Sequence, residues 1–172
     1  MGGFGHLSRR FVGSLRPGGP PEPERAWVES VLSEAEYGLW RRMHGPDRRH
    51  SVGVAREVER RLGDEGTRPV LAAALLHDVG KIDAGLRTWG RVVATLAATA
   101  AGADRARGWT TSSGFRRRIG LYLHHPEIGA DLLELVGSDP LTVAWAEEHH
   151  KPADDWTVAP AIAAVLHEAD DD

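Results

Sequence analysis

The sequence predicts an all-α fold, one domain built as a bundle of about seven helices. Three observations carry this. Apolar residues return at the helical period along most of the chain, proline and glycine punctuate those stretches where helices should start and stop, and no segment alternates as a strand would. Trp27, Val28, Val31, Leu32, Ala35, Leu39 and Trp40 define a first helix over Glu24–Met43, with Pro23 as its start signal and Gly45-Pro46-Asp47 as its break. Val52, Ala55, Val58 and Leu62 define a second over 48–62, stopped by Gly63. Thr67 is placed to cap a third, Pro69–Asp78, which ends at Gly80. A fourth is expected over Leu86–Ala101, followed by a polar connection over Gly102–Gly114 with some local order around Trp109. A fifth spans Phe115–Leu123, a sixth opens at Pro126 and ends at Gly137, a seventh runs from Pro140 to about His150, and a last one opens at Ala159-Pro160 and reaches Ala169.

A chain of 172 residues suits a single domain with one substantial core. That domain is expected over 24–172, preceded by a loosely ordered arm, 1–23, dominated by Gly, Pro and Arg. Within the arm, Leu7 to Arg16 could form a short basic amphipathic turn that docks on a membrane surface or a partner. A net charge of −4 supplies no basic field, so a nucleic-acid polymer is not an expected partner. No apolar run approaches the roughly 20 residues that span a bilayer, and the N-terminus has no signal-peptide core. Cysteine is absent, which fits a reducing cytoplasm and excludes disulfides, thiolate ligands and cysteine nucleophiles. A homo-oligomer is left open.

The most informative feature is His77-Asp78, two strong metal ligands at the end of the apolar run Val70–Leu76. Burying an imidazole and a carboxylate together is costly unless something compensates them. A divalent ion does so, and it keeps His neutral and Asp ionised. His50, His125, His149-His150 and Asp170 stand at expected helix ends, from which separate elements can converge on one pocket. His6, His44 and His167 read as ordinary surface or isolated histidines. Without cysteine, any ion must be held by nitrogen and oxygen, which selects Mn, Fe, Co, Ni, Mg or Zn.

These motifs resemble those of the HD-domain superfamily of metal-dependent phosphohydrolases over roughly His50 to Asp170. Asp47-Arg48-Arg49-His50-Ser51-Val52 looks like the first-histidine segment, His77-Asp78-Val79-Gly80-Lys81 is similar to the central H-D-x-G-K motif, and Ala169-Asp170 looks like the last-helix aspartate. His124-His125-Pro126-Glu127-Ile128-Gly129-Ala130 is similar to the H-P-E-I-G-A segment of the HD-GYP branch, and His149-His150 to that branch's paired histidines. The resemblance implies an HD-like helical bundle with one or two divalent ions. One would be held by His50, His77, Asp78 and Asp170, and the other by Asp78, His125, His149 and His150. No Gly-Tyr-Pro follows His150, a departure that counts against a cyclic-di-GMP phosphodiesterase.

The implied activity is hydrolysis of a small phosphate ester, nucleotide or cyclic nucleotide by a metal-activated water. Asp78 and Lys81 are the expected catalytic residues, and Lys81, Arg87 and Arg91 the expected phosphate contacts, with the run Arg116-Arg117-Arg118 as a further candidate. Plainer readings stand beside these. Lys81 could be a lysine at a helix end, Arg116-Arg117-Arg118 a solvated face, and one of His149-His150 a surface residue. Two other functions are carried as alternatives: a non-catalytic metal-binding or ligand-sensing domain, and a diiron oxygenase of HD type.

Overall fold

The computed structural model describes residues 18–86, 97, 99 and 102–171. Among these, nine helices of five residues or more and a one-turn helix make up the regular structure, with no strand. They are α1 (Glu22–Val31), α2 (Glu34–Arg42), α3 (Gly45–Leu62), α4 (Arg68–Leu76), α5 (Lys81–Ala84), α6 (Ala103–Arg107), α7 (Gly114–Leu123), α8 (His125–Leu135), α9 (Pro140–Glu148) and α10 (Pro160–Asp171). Short 3₁₀ turns lie at Gly63–Glu65, Gly108–Thr111 and Ala153–Asp155. No helix is long and apolar enough to cross a membrane among the described residues. Most of the arm and most of the helix expected over Leu86–Ala101 fall outside them, as do Arg87 and Arg91.

Three expectations about elements need correction. The helix expected over Glu24–Met43 is two helices, broken at Leu32-Ser33 where both residues are extended. Ser33 is an N-cap. Its hydroxyl accepts from the Glu36 N–H (3.3 Å), and the Glu36 carboxylate accepts from the Ser33 N–H (2.8 Å). This capping box satisfies two helix-start donors and outweighs an apolar period that runs across the break. The buried Glu36 carboxylate also accepts from Arg68, which donates to the Val31 carbonyl at the end of α1. Secondly, Gly45-Pro46-Asp47 opens α3 rather than merely ending the helix before it, because proline fits the first helical turn. Thirdly, the expected polar connection over 102–114 contains the helix α6, while the 3₁₀ turn Gly108–Thr111 is the local order expected around Trp109. Thr67 stands at the N-cap of α4, but its side chain makes no capping bond.

The core is organised around α4. Every residue from Val70 to Leu76 is buried, because α1, α3 and α9 all pack on this helix. A helix apolar on all sides belongs in the interior. α10 lies along α3, and α8 lies along α9. Trp40 and Trp145 are fully enclosed, and the Trp40 indole donates to Ser51 Oγ (3.1 Å). A smaller apolar cluster of Ala84, Leu86 and Ile119 joins α5 to α7.

One close approach sets the position of everything that follows. The turn 77–80 links α4 to α5, and Gly80 rests against the first turns of α8. A Cβ on Gly80 would lie 2.0 Å from the His125 carbonyl oxygen and 2.6 Å from the Gly129 nitrogen. Only glycine permits that contact, and it brings the His77-Asp78 turn against the N-terminus of α8.

Candidate metal centre

The seven histidine and aspartate side chains expected as ligands come together in the fold, from five separate places. His50 lies in the second turn of α3, since that helix starts earlier than its apolar pattern suggests. His77 and Asp78 form the turn after α4, and His125 is the first residue of α8. His149 and His150 follow α9, and Asp170 stands in the last turn of α10.

Two sets of donor atoms share Asp78. In one, Asp78, His125, His149 and His150 each bring a ligand atom within 4.8 Å of the others, and in the second His50, His77 and Asp78 do the same. Asp170 joins the second set. Its Oδ1 is 2.7 Å from His50 Nε2 and 3.6 Å from His77 Nε2. The two oxygens of Asp78 divide between the sets. Oδ1 faces His125 Nε2 (3.4 Å) and His149 Nε2 (3.7 Å), while Oδ2 faces His77 Nε2 (3.5 Å) and the Lys81 ammonium (2.5 Å).

Hydrogen bonds on the far side of three rings determine what these nitrogens present. His77 Nδ1–H donates to the Ala74 carbonyl (3.0 Å), His125 Nδ1–H to Tyr122 (2.7 Å) and His149 Nδ1–H to Ala146 (2.9 Å). A carbonyl can only accept, so Nδ1 carries the proton, and in the neutral ring Nε2 is a bare lone pair. Those three Nε2 atoms and Asp78 Oδ1 are buried with no hydrogen-bond partner. Where a ring is neutral, as burial favours for His125, a lone pair directed at a buried carboxylate repels it, and an unsatisfied buried atom is costly. In the metal-free protein His77 escapes this by holding a second proton between Asp78 and Asp170. A cation between them converts repulsion into coordination, and fixing Nδ1 on a backbone carbonyl is how histidine ligands are oriented. The residues therefore fit a divalent ion, and this buried His/Asp group is able to hold one.

The charges in the group respond to one another. Burial opposes protonation of His77, but the Asp78 and Asp170 carboxylates outweigh it and push its pKa up to about 9. Burial alone would raise Asp78, yet Lys81 and then His77 hold its carboxyl well below the usual range. Asp170 is likewise held low against its burial, first by the hydrogen bond to His50. Burial lowers His125. Partial enclosure of the His150 ring, with His149 and His125 alongside, pushes it down to about 3. His77, Asp78, His125 and His149 are buried, whereas His50, Asp170 and above all His150 reach solvent. The group thus has a closed floor and an open rim.

Other expected residues are placed with less consequence. Lys81 touches Asp78 rather than standing apart from the ligands. His124 lies beside Glu127, its Nδ1 3.7 Å from the Glu127 carboxylate. Arg118 is more than a solvated charge, because it donates to the Ala84 and Gly85 carbonyls that end α5. Sequence reasoning passed over the packing role of Gly80 and the buried carboxylate of Glu148. Glu148 follows Trp145 by three on the buried side of α9, and that spacing was the available signal. Comparison with family models, with curated proteins and with solved structures gave no match.

Proposed function

We propose that this chain is a divalent-metal-dependent phosphohydrolase of HD-domain type, acting on a small phosphate ester, nucleotide or cyclic nucleotide. The observation that carries the proposal is the set of four orphaned buried atoms, the Nε2 of His77, His125 and His149 and Oδ1 of Asp78, in two donor groups that share one carboxylate. His50, His77, Asp78 and Asp170 would hold one ion, and Asp78, His125, His149 and His150 the other. Such ions, when bound, acidify a water and neutralise charge on a phosphoryl group.

The protein's own residues supply the rest. The three backbone-anchored imidazoles keep the floor dry and rigid, so the donors need not reorganise as charge develops. Asp78, kept ionised by Lys81, ties the two donor groups together. The Lys81 ammonium stands at the edge of the group, where it can meet a phosphoryl oxygen or pass a proton to the leaving oxygen. The rim at His50, Asp170 and His150 is the side from which a substrate enters.

The test is metal analysis of the purified protein, followed by a phosphate-release screen across nucleotides and sugar phosphates with added Mn²⁺. Release that requires the metal and disappears in His77→Ala supports the reading. A metal-loaded protein that turns over none of these points to a sensing domain. Iron-dependent oxygen uptake points to an oxygenase.

A further inference from the structure

The histidines of the donor groups are not all held alike. His77, His125 and His149 are each locked by a backbone carbonyl on Nδ1. His150 makes no such bond among the described residues. It is the exposed member, and its ring packs against His149 (centroids 4.0 Å apart) and His125 (5.1 Å). Its direction must therefore come from the backbone that carries it.

That backbone is held by Glu148. The residue is 4% exposed, a buried carboxylate next in sequence to His149. It accepts from the Thr157 N–H (2.8 Å), the Thr157 hydroxyl (2.6 Å) and, more weakly, the Val158 N–H (3.4 Å). Its own carbonyl accepts from the Lys151 N–H (2.7 Å), closing the turn that contains both histidines. The segment from His149 to Val158 is thus a loop cinched at its base. Inside it, Trp156 donates its indole N–H to the Lys151 carbonyl (3.1 Å) and packs on Trp145 and His167. A buried carboxylate is costly unless it is satisfied, and three donors satisfy this one. Charge-assisted bonds of this kind are the strong ones.

We propose that Glu148 is a positioning residue for the His149-His150 turn, and that it sets the affinity of the donor group containing His125, His149 and His150 without setting that of the group containing His50 and Asp170. This rests on the metal-binding reading above. Removing the carboxylate frees the loop, and His150, with no anchor on its ring, loses its direction first.

The experiment is equilibrium dialysis of the full chain against Mn²⁺, with the bound metal quantified, for wild type, His150→Ala, Glu148→Ala, Glu148→Gln and Thr157→Val. Wild type should show two binding events. Glu148→Ala should weaken at least tenfold the event that His150→Ala also weakens and leave the other within about twofold; selective weakening of the other event overturns the proposal. Glu148→Gln, which keeps the shape and one acceptor, should fall between the two proteins. Thr157→Val removes one donor and should produce a smaller loss at the same event, so it carries the test if Glu148→Ala does not fold. Equal weakening of both events, or none in any Glu148 or Thr157 variant, overturns the proposal. A wild-type chain that binds no metal at all overturns the underlying reading instead.

Discussion

At the residue scale, Asp78 is the residue that the two donor groups share, and each of its oxygens faces a different set of imidazoles. Asp78→Ala should therefore abolish metal binding at both groups and, on the proposed function, all phosphate release, read by elemental analysis and a phosphate assay. His125→Ala should weaken only the group that holds it. His124→Ala should change neither, since His124 lies beside Glu127 rather than Asp78. Reversal of that pair would mean that the ring facing Asp78 belongs to the neighbouring residue. Lys81 makes a different prediction. It pairs with Asp78 but carries a positive charge, so Lys81→Ala should retain metal while kcat/KM falls about 10- to 1000-fold. A change confined to KM would assign Lys81 to uniform binding. The candidate donors were legible in the sequence because histidine and aspartate are seldom buried without a reason, and these recur at helix boundaries. What each ring presents was not legible. It depends on carbonyls three residues earlier, which every helical residue possesses and only the folded turn directs at Nδ1.

Elements decide whether those side chains meet, and the contact between the 77–80 turn and α8 leaves no room for a side chain at Gly80. Gly80→Ala places a methyl carbon 2.0 Å from the His125 carbonyl oxygen, which is backbone and cannot rotate away. Separation of the two elements should cost about 1–3 kcal/mol, as overpacking does, and it should carry Asp78 away from His125. The expected result is a lower unfolding midpoint and loss of metal from the group containing His125, checked by denaturant titration and metal analysis on the same preparation. Unchanged metal content would show that the donor group tolerates movement of this junction. The sequence showed Gly80 only as a helix end, for its backbone angle is ordinary and its reason is a neighbour 45 residues downstream. The split between α1 and α2 was legible in principle, since Ser33-Glu34-Ala35-Glu36 is a capping-box pattern. The apolar period continues across it because both helices bury their faces in the same core. The late start assigned to α3 has the same origin: its first turn is polar, so the apolar pattern begins after the backbone does.

For the molecule as a whole, the donor groups join segments far apart in sequence, with His50 and Asp170 separated by 120 residues. An ion bound there stabilises the folded chain against an unfolded one that lacks the site. At a free concentration of 100 times Kd, a single such ion contributes about 2.7 kcal/mol, which should raise Tm by about 5–10 °C in a chain of this size. Chelation should remove that increment. Its size should also depend on pH, with a sign fixed by His77. In the metal-free protein the His77 pKa is pushed up to about 9, above its ordinary value of 6.5, by Asp78 and Asp170 acting against burial. A proton held more tightly in the folded state stabilises it fully below the unfolded pKa, and that contribution is lost as pH rises through the folded one. The metal-free chain should therefore lose stability between pH 6.5 and 9. An ion on Nε2 replaces the proton, so the loaded chain escapes this loss, and metal competes better as protons become scarce. The difference in Tm between Mn²⁺-loaded and chelated protein should thus widen across that window. Thermal unfolding at half-unit pH steps, with and without chelator, measures it. A difference that narrows as pH rises would mean that the ion does not displace the His77 proton, and would remove His77 from the ligand set.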